Sequence, residues 1–347
     1  ADVEFLDLFN KNMKNFSDDK RYFNAPYGER IRTWGVNSFR NQLINPIDQL
    51  EDAYIKLSAD RDTRQATLVI SNPHYDNSSY TLKGGLDIAC NLVVTFKIRH
   101  DELNMMVVNR SNDIIYGLFG ANLCQFSTLQ ELLANWLGVK VGTYTHVTDS
   151  LHTYLDSYGS GENEKILGCH EGLSSHIWDT DELNNSHESK YFVFKTEPRM
   201  SSDKNATDKF LSVFWASIYP MLTEDYSVDA SDKFNDVVRN LQYISENSSL
   251  AGVIDDYWKM AIGAMFAYRF IRAKEYGYAL DIIRDFVPNS SWKVAMLYFV
   301  KKFIVKSENQ EQLTNKYVEI VENMGNDLFC IEYEDELEDY LSLDFTK

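Results

Sequence analysis

Residues 87–126 read DIACNLVVTFKIRHDELNMMVVNRSNDIIYGLFGANLCQF. Two apolar runs, 87–98 and 103–108, flank His100-Asp101-Glu102, which predicts two strands joined by a hairpin-like turn. Three polar features follow in fixed order. Cys90 lies near the start of the first strand, and Asn109-Arg110-Ser111-Asn112-Asp113 emerges from the end of the second. Gly120-Ala121-Asn122 then opens an amphipathic helix over 122–137, ended by Gly138. A nucleophile, an anion-binding pair and a carboxamide are brought together by two strands and a turn.

Each of these residues has a plain and a chemical reading. Cys90 is either a small buried hydrophobe or a thiolate nucleophile, which needs a nearby positive group such as Arg110. Arg110 and Ser111 offer a planar guanidinium fork and a hydroxyl, suited to phosphate; alternatively Arg110 pairs with Asp113. Asn122 is either a helix N-cap or a carboxamide that presents donor and acceptor to a planar base. His152 and Tyr154, two apart, share one side of an extended segment and can orient a sugar hydroxyl.

Working outward, residues 3–16 carry helical apolar spacing. Residues 26–34 form a loop that interleaves arginines with aromatics. Residues 46–58 predict a helix with Pro46 in its first turn, and 66–71 a strand buried on both faces. Residues 74–85 form a polar loop. Downstream, 139–147 predicts a strand, 150–158 a loop entering a helix, 159–188 a long linker and 191–196 another strand. Helical periodicity then covers 206–222, 230–246, 251–286 with a break near Gly277, 290–306 and 310–324, before an acidic tail. The expected fold is α+β over 1–200 with an all-helical region over 205–347. The opening at Ala1, inside a helical pattern, predicts a trimmed N-terminus.

The formal net charge of −18 argues against binding polymeric nucleic acid, yet local arginines can still hold one small anion. Cys90, Cys124, Cys169 and Cys330 form no CxxC pair and no zinc pattern. No secretory signal precedes the chain, so a reduced, cytoplasmic protein is expected. No apolar run reaches the ~18 residues that span a bilayer.

From Tyr27 to Tyr158 the ordered series resembles the thymidylate synthase superfamily, above all its pyrimidine-nucleotide hydroxymethylase and phage-type branch. Tyr27-Gly28 with Arg30 and Trp34 looks like the family's YGxxxRxW-like stretch, Asp48-Gln49-Leu50 like its DQL helix, and Thr63-Arg64 like its arginine pair. Ser71-Asn72-Pro73 is similar to WNP, Arg110-Ser111-Asn112-Asp113 matches RSxD, and His152-x-Tyr154 matches HxY. The resemblance implies a mixed sheet with flanking helices, and a homodimeric enzyme of nucleotide biosynthesis that alkylates C5 of a pyrimidine nucleoside monophosphate with 5,10-methylenetetrahydrofolate. It implies that Cys90 is the nucleophile, with Asp113 catalytic and facing folate along with Trp34. Arg110 and Ser111 would hold phosphate, together with Arg64 reaching across to the partner's site. Asn122 would read the base, and His152 and Tyr154 the ribose hydroxyl. The RSND-IIYG run and Ser150–Tyr154 favour hydroxymethylation, with thymidylate synthesis as the alternative. Several positions depart from the family pattern: Ala89 and Asn91 flank Cys90 where Pro and His are usual, Thr95 replaces Gln, Gln65 replaces the second arginine, and Gly120-Ala121-Asn122 stands for PFN. The family's N-terminal arginine loop and its glutamate helix have no counterpart here. A nucleotide-binding protein on a decayed enzyme fold is therefore a further alternative.

Overall fold

The computed structural model describes residues 3–37, 42–76, 86–154, 192–194, 198–246, 254–324 and 328–330. The linker expected over 159–188, the acidic tail, Cys169 and His170 lie outside them. The chain divides into two compact units, Ala1–His187 and Glu188–Lys347.

In the first unit, α1 (Val3–Asp7) precedes a single 3-10 turn at Met13–Phe16, where the sequence predicted one continuous helix. α2 (Tyr27–Arg32) occupies what was read as a loop. The ribbon of β1 (Trp34–Asn37) and β2 (Gln42–Ile47) follows, and then α3 (Gln49–Ala59). Pro46 thus lies in β2 and not in a helix. Asp48 ends the strand and caps α3 by accepting from Glu51 N, the usual role of an Asp at that position. β3 is short (Thr67–Val69) and leads to α4 (Pro73–Asp76).

β4 (Asn91–Arg99) and β5 (Glu102–Asp113) form the expected hairpin. Its turn uses positive φ at both His100 (54°) and Asp101 (62°), the twist-matched geometry for a two-residue connection. β5 continues through Arg110 to Asp113, beyond its predicted end. A π-helical segment, Ile114–Ala121, feeds α5 (Asn122–Leu137), which stops at Gly138 in the left-handed region (φ 63°). β6 (Lys140–His152) returns parallel to β5 and includes Ser150–His152, which the sequence assigned to a loop. The sheet order is β3-β4-β5-β6, antiparallel except for β5–β6.

One face of the sheet packs on α3 and α5. Leu68, Val94 and Val107 are cross-strand neighbours, each 0% exposed, beside Phe96, Leu57 and Leu133. Burying each such side chain favours folding by about 1.5–3 kcal/mol. The opposite face carries an unbroken row, Val69, Val93, Val108 and Val147, whose end members Val69 and Val147 are exposed. β3 is therefore an edge strand with one covered face, where the continuous apolar run suggested two. Its free edge is blunted by Gln49, whose Oε1 accepts from Val69 N (2.8 Å) and whose Nε2 donates to Val69 O (2.9 Å).

Arg30 is 6% exposed. Its guanidinium forks onto Asp76 (2.7 and 2.9 Å) and also donates to the carbonyls of Ile70 and Asn24. Arg30, expected in a loop of interleaved arginines and aromatics, is thus a buried clamp joining α2 to α4 and the end of β3.

In the second unit, helices run over Lys204–Val213, Ala230–Glu246, Asp256–Arg272, Tyr276–Phe286, Ser291–Ile304 and Gln310–Met324. The break falls at Lys274 (φ 67°), three residues before Gly277. Phe266, Phe270, Leu280, Ile283, Leu297 and Tyr317 are fully buried. Phe192–Phe194 pairs with Leu328–Cys330, so this mainly helical unit also carries a two-stranded ribbon. Among the described residues no helix is long and apolar enough to cross a membrane.

Removing one partner of a buried ion pair strands the other charge. Asp76→Ala is expected to destabilise the first unit by about 3–5 kcal/mol, read as a lowered urea midpoint; a loss under about 1 kcal/mol would mean Arg30 finds other compensation.

Candidate active site at the end of the sheet

The site begins with an interruption of strand alternation. Val94, Phe96 and Ile98 face the core, and a strict period of two would carry Leu92 and Cys90 to the same side. The register shifts instead: Val93 opposes Val108 while Asn91 opposes Asn109. Leu92 is the extra residue of a bulge, its carbonyl accepting from both Ile70 N (2.9 Å) and Ser71 N (3.0 Å). A bulge reverses the phase beyond it. Asn91 takes the buried face at 0% exposure, and Cys90 turns toward Arg110.

Arg110 is held by backbone. Its N–H donates to Cys90 O (2.9 Å), its Nε to Ala89 O (2.9 Å) and its Nη2 to Ile88 O (3.2 Å), with Nη2 3.7 Å from Cys90 Sγ. The strands are close enough for the guanidinium to meet the thiol, and the expected alternative of a pair with Asp113 is not formed. Tyr27 Oη accepts from Cys90 N (3.2 Å) and Asn91 N (3.4 Å). Burial pushes the Tyr27 phenol up to about 12, so it remains a neutral hydroxyl.

On the buried face lies a polar cluster that the sequence reading did not assemble. His146 Nε2 stands 2.8 Å from Asn109 Nδ2 and 2.9 Å from Asn112 Nδ2, and its Nδ1 is 2.9 Å from Tyr144 Oη. Asn122 Nδ2 donates to Asn112 Oδ1 (3.0 Å). The available signal was register. Asn109 continues the buried series Leu103, Met105 and Val107, while His146 pairs with Val107, so both had to face the core and find partners there. Gly117 makes room for this arrangement: a Cβ on it would lie 2.0 Å from Asn112 Oδ1.

Several buried atoms in this region have no hydrogen-bond partner: both amide atoms of Asn91, Asn109 Oδ1 and Asp113 Oδ2. Buried polar atoms are rarely left so unless a ligand or water completes them. Asp113 Oδ1 is committed, accepting from Tyr116 N (2.5 Å) at the start of the π-helical segment.

The other expected residues fall in three places. Asn122 is not an N-cap: Ala121 occupies that position, Asn122 is already helical, and its amide points to Asn112. Ser111 pairs across β5–β6 with Ser150, and Asp113 with His152. The His152 ring packs edge-on to Tyr154 (5.0 Å), which is 58% exposed. Arg64 stands exposed on the turn between α3 and β3, and Trp34 opens β1 opposite Ile47. Neither takes part in the contacts around Cys90 and His146 described above.

The sequence model of thymidylate synthase matches residues 3–210. The chain belongs to the thymidylate synthase family. The enzyme class follows, that of a one-carbon transferase. It is 36% identical to the deoxyuridylate hydroxymethyltransferase of Bacillus phage SP01, over 92% of this chain and 79% of that protein. The enzyme of the same name from Pseudomonas phage M6 is 36% identical over 44% of this chain and 40% of its own length. A putative thymidylate synthase of Methanocaldococcus jannaschii is 32% identical over 42% of this chain and 58% of its own. The SP01 alignment is longer than the family match and so extends into the helical unit.

Burial lowers the pKa of His146 below its ordinary 6.5. The unfolded chain therefore binds more protons there, and this contribution, complete above pH 6.5, is lost as pH falls below it. Urea midpoints at about pH 8 and about pH 5 should fall further for the parent chain than for His146→Phe; equal falls would exclude a depressed His146. Gly117→Ala is expected to destabilise by about 1–3 kcal/mol through displacement of Asn112, measured by the same unfolding curve.

Proposed function

We propose that this chain hydroxymethylates C5 of deoxyuridylate through a covalent adduct at Cys90. The observation that carries the reading is the pairing of Cys90 Sγ with Arg110 Nη2 at 3.7 Å, one residue before Ser111. The guanidinium sets a positive, hydrogen-bonding group beside the sulfur, and it belongs to the same Arg-Ser pair that offers donors to a phosphate. One anchored phosphate would hold the base over the thiol, which contributes by proximity. Asn122 would read the base edge, and His152 with Tyr154 the sugar hydroxyl.

The sulfur adds to C6, which makes C5 nucleophilic. C5 would take up the one-carbon unit, and loss of the C5 proton with departure of tetrahydrofolate would leave an exocyclic methylene. Water then adds to the resulting exocyclic methylene, the sulfur–C6 bond breaks, and a hydroxymethyl group remains. The unpartnered, buried Oδ2 of Asp113 fits a folate, whose pterin ring presents N–H donors, and Trp34 would supply an aromatic face. When bound, 5,10-methylenetetrahydrofolate would supply the one-carbon unit. The names of the phage relatives favour the hydroxymethyl product and the uracil base.

The exposed side of the sheet supports a homodimer. Val69, Met106, Val147 and Leu151 are apolar and exposed there, and apolar faces of this kind mark association surfaces. Arg64, exposed on the turn leading into β3, would reach the phosphate across that interface.

The chain, incubated with 5,10-methylenetetrahydrofolate and deoxyuridylate, is expected to yield a nucleotide heavier by a hydroxymethyl group in mass spectrometry, and Cys90→Ser to yield none. A methyl gain would reassign the product, and turnover retained in Cys90→Ser would exclude the covalent route.

A further inference from the structure

Tyr144, His146, Asn112 and Asn122 form one chain of hydrogen bonds with contacts of 2.9, 2.9 and 3.0 Å. Two directions of donation satisfy the same heavy-atom positions. In one, His146 carries its proton on Nδ1 and donates to Tyr144. Its Nε2 accepts from Asn112, and Asn112 Oδ1 accepts from Asn122 Nδ2. In the other, every link is reversed: Nε2–H donates to Asn112, and Asn112 donates to Asn122 Oδ1. An imidazole is either donor or acceptor at each nitrogen, so its tautomer fixes the whole series.

Asn109 decides between the two. It shares His146 Nε2 with Asn112 (2.8 Å), and its other amide atom is buried without a partner. In the first direction that atom is a carbonyl oxygen. In the second, Asn109 turns its carbonyl to the histidine and buries an NH2 group with neither hydrogen bonded. Stranded N–H groups are the rarer and costlier defect, so the first direction is favoured.

The direction has a consequence at the base. With one Nδ2 hydrogen given to Asn112, Asn122 keeps an edge formed by Oδ1 and the remaining N–H. That edge complements uracil, in which N3–H donates and O4 accepts. Reversal exchanges the two atoms and complements cytosine, in which N3 accepts and the amino group donates. We propose that Asn112 and His146 are positioning residues that lock the Asn122 carboxamide in its uracil-reading orientation. Neither needs to touch the nucleotide. The junction is crowded enough to hold the lock in place, since the Gly117 Cα lies against Asn112 and a Cβ there would also come within 3.5 Å of Asn122 Nδ2.

The inference rests on the deoxyuridylate reading above, and one titration series separates the two. Binding of dUMP and dCMP is measured by calorimetry on the intact chain and on Asn112→Leu, His146→Phe and Asn112→Asp, each checked for a native thermal transition. The intact chain is expected to favour dUMP by about 10-fold or more, the discrimination typical of a bidentate amide–base match. Asn112→Leu and His146→Phe free the amide to rotate, and the ratio should fall toward unity. Asn112→Asp should keep the preference, because a carboxylate can only accept and still fixes Asn122 Nδ2 toward itself. An unchanged ratio in folded Asn112→Leu, with dUMP still preferred, overturns the lock alone, whereas a preference of the intact chain for dCMP overturns the deoxyuridylate reading and the lock with it. If the intact chain binds neither nucleotide, the deoxyuridylate reading falls and the lock falls with it.

Discussion

One extra residue in β4 governs the end of the sheet. Without the bulge at Leu92, strict alternation would turn Cys90 toward the core and Asn91 away from it. The bulge reverses both, and the twin hydrogen bonds from Ile70 and Ser71 to the Leu92 carbonyl keep it in place. The thiol is thereby offered to Arg110 while an amide is sent into the interior. A one-residue change of phase thus divides the region into a cationic, accessible side and a buried polar side, only a strand thickness apart.

The scaffold that holds this division uses polar side chains in place of extra strands. Arg30 ties three segments through Asp76, Ile70 and Asn24. Gln49 finishes the β3 edge. Gln130, 1% exposed, donates from α5 to carbonyls of Leu103, Gly142 and Thr143 at the other end of the sheet. Each is a long side chain whose donors all find backbone or carboxylate, which is the condition for burying them without penalty. They fix helix positions relative to strands more tightly than apolar packing alone, which tolerates repacking.

Much of the fold was legible because its signals are local. The His100-Asp101 turn lies between alternating strands, and α5 runs from Asn122 to a glycine stop as its pattern requires. The mainly helical second unit follows from the same periodicities, and the mixed sheet from the family resemblance. Signals that depend on partners were not legible. Arg30 was read only as part of a loop because Asp76, 46 residues away, had no visible tie to it. The strand ends at 109–113 and 150–152 looked like loops because polar residues there satisfy one another across β5–β6. Cys90 and Arg110 were named from order and spacing, and the structure does bring them together. His146 was passed over because its meaning lies in Asn109 and Asn112, which are 37 and 34 residues distant. Arg64 and Trp34 were named by likeness, and the contacts around Cys90 and His146 do not include them.

The π-helical segment between Asp113 and Asn122 bears on how the region tolerates change in length. A π-turn holds one residue more than the α-turn it replaces. Winding between the two forms can absorb a single insertion or deletion while Asp113 still caps the segment's start and Asn122 still begins α5. The residues on either side then keep their places, Asn112 in β5 and Phe126, Gln130 and Leu133 on the buried stripe of α5. Within a strand a gained residue must be taken up by a bulge, as at Leu92, or it shifts the register and turns the strand's faces over. The stretch between a buried carboxylate and an amide is thus a place where the chain can change length by one residue and leave the core alone.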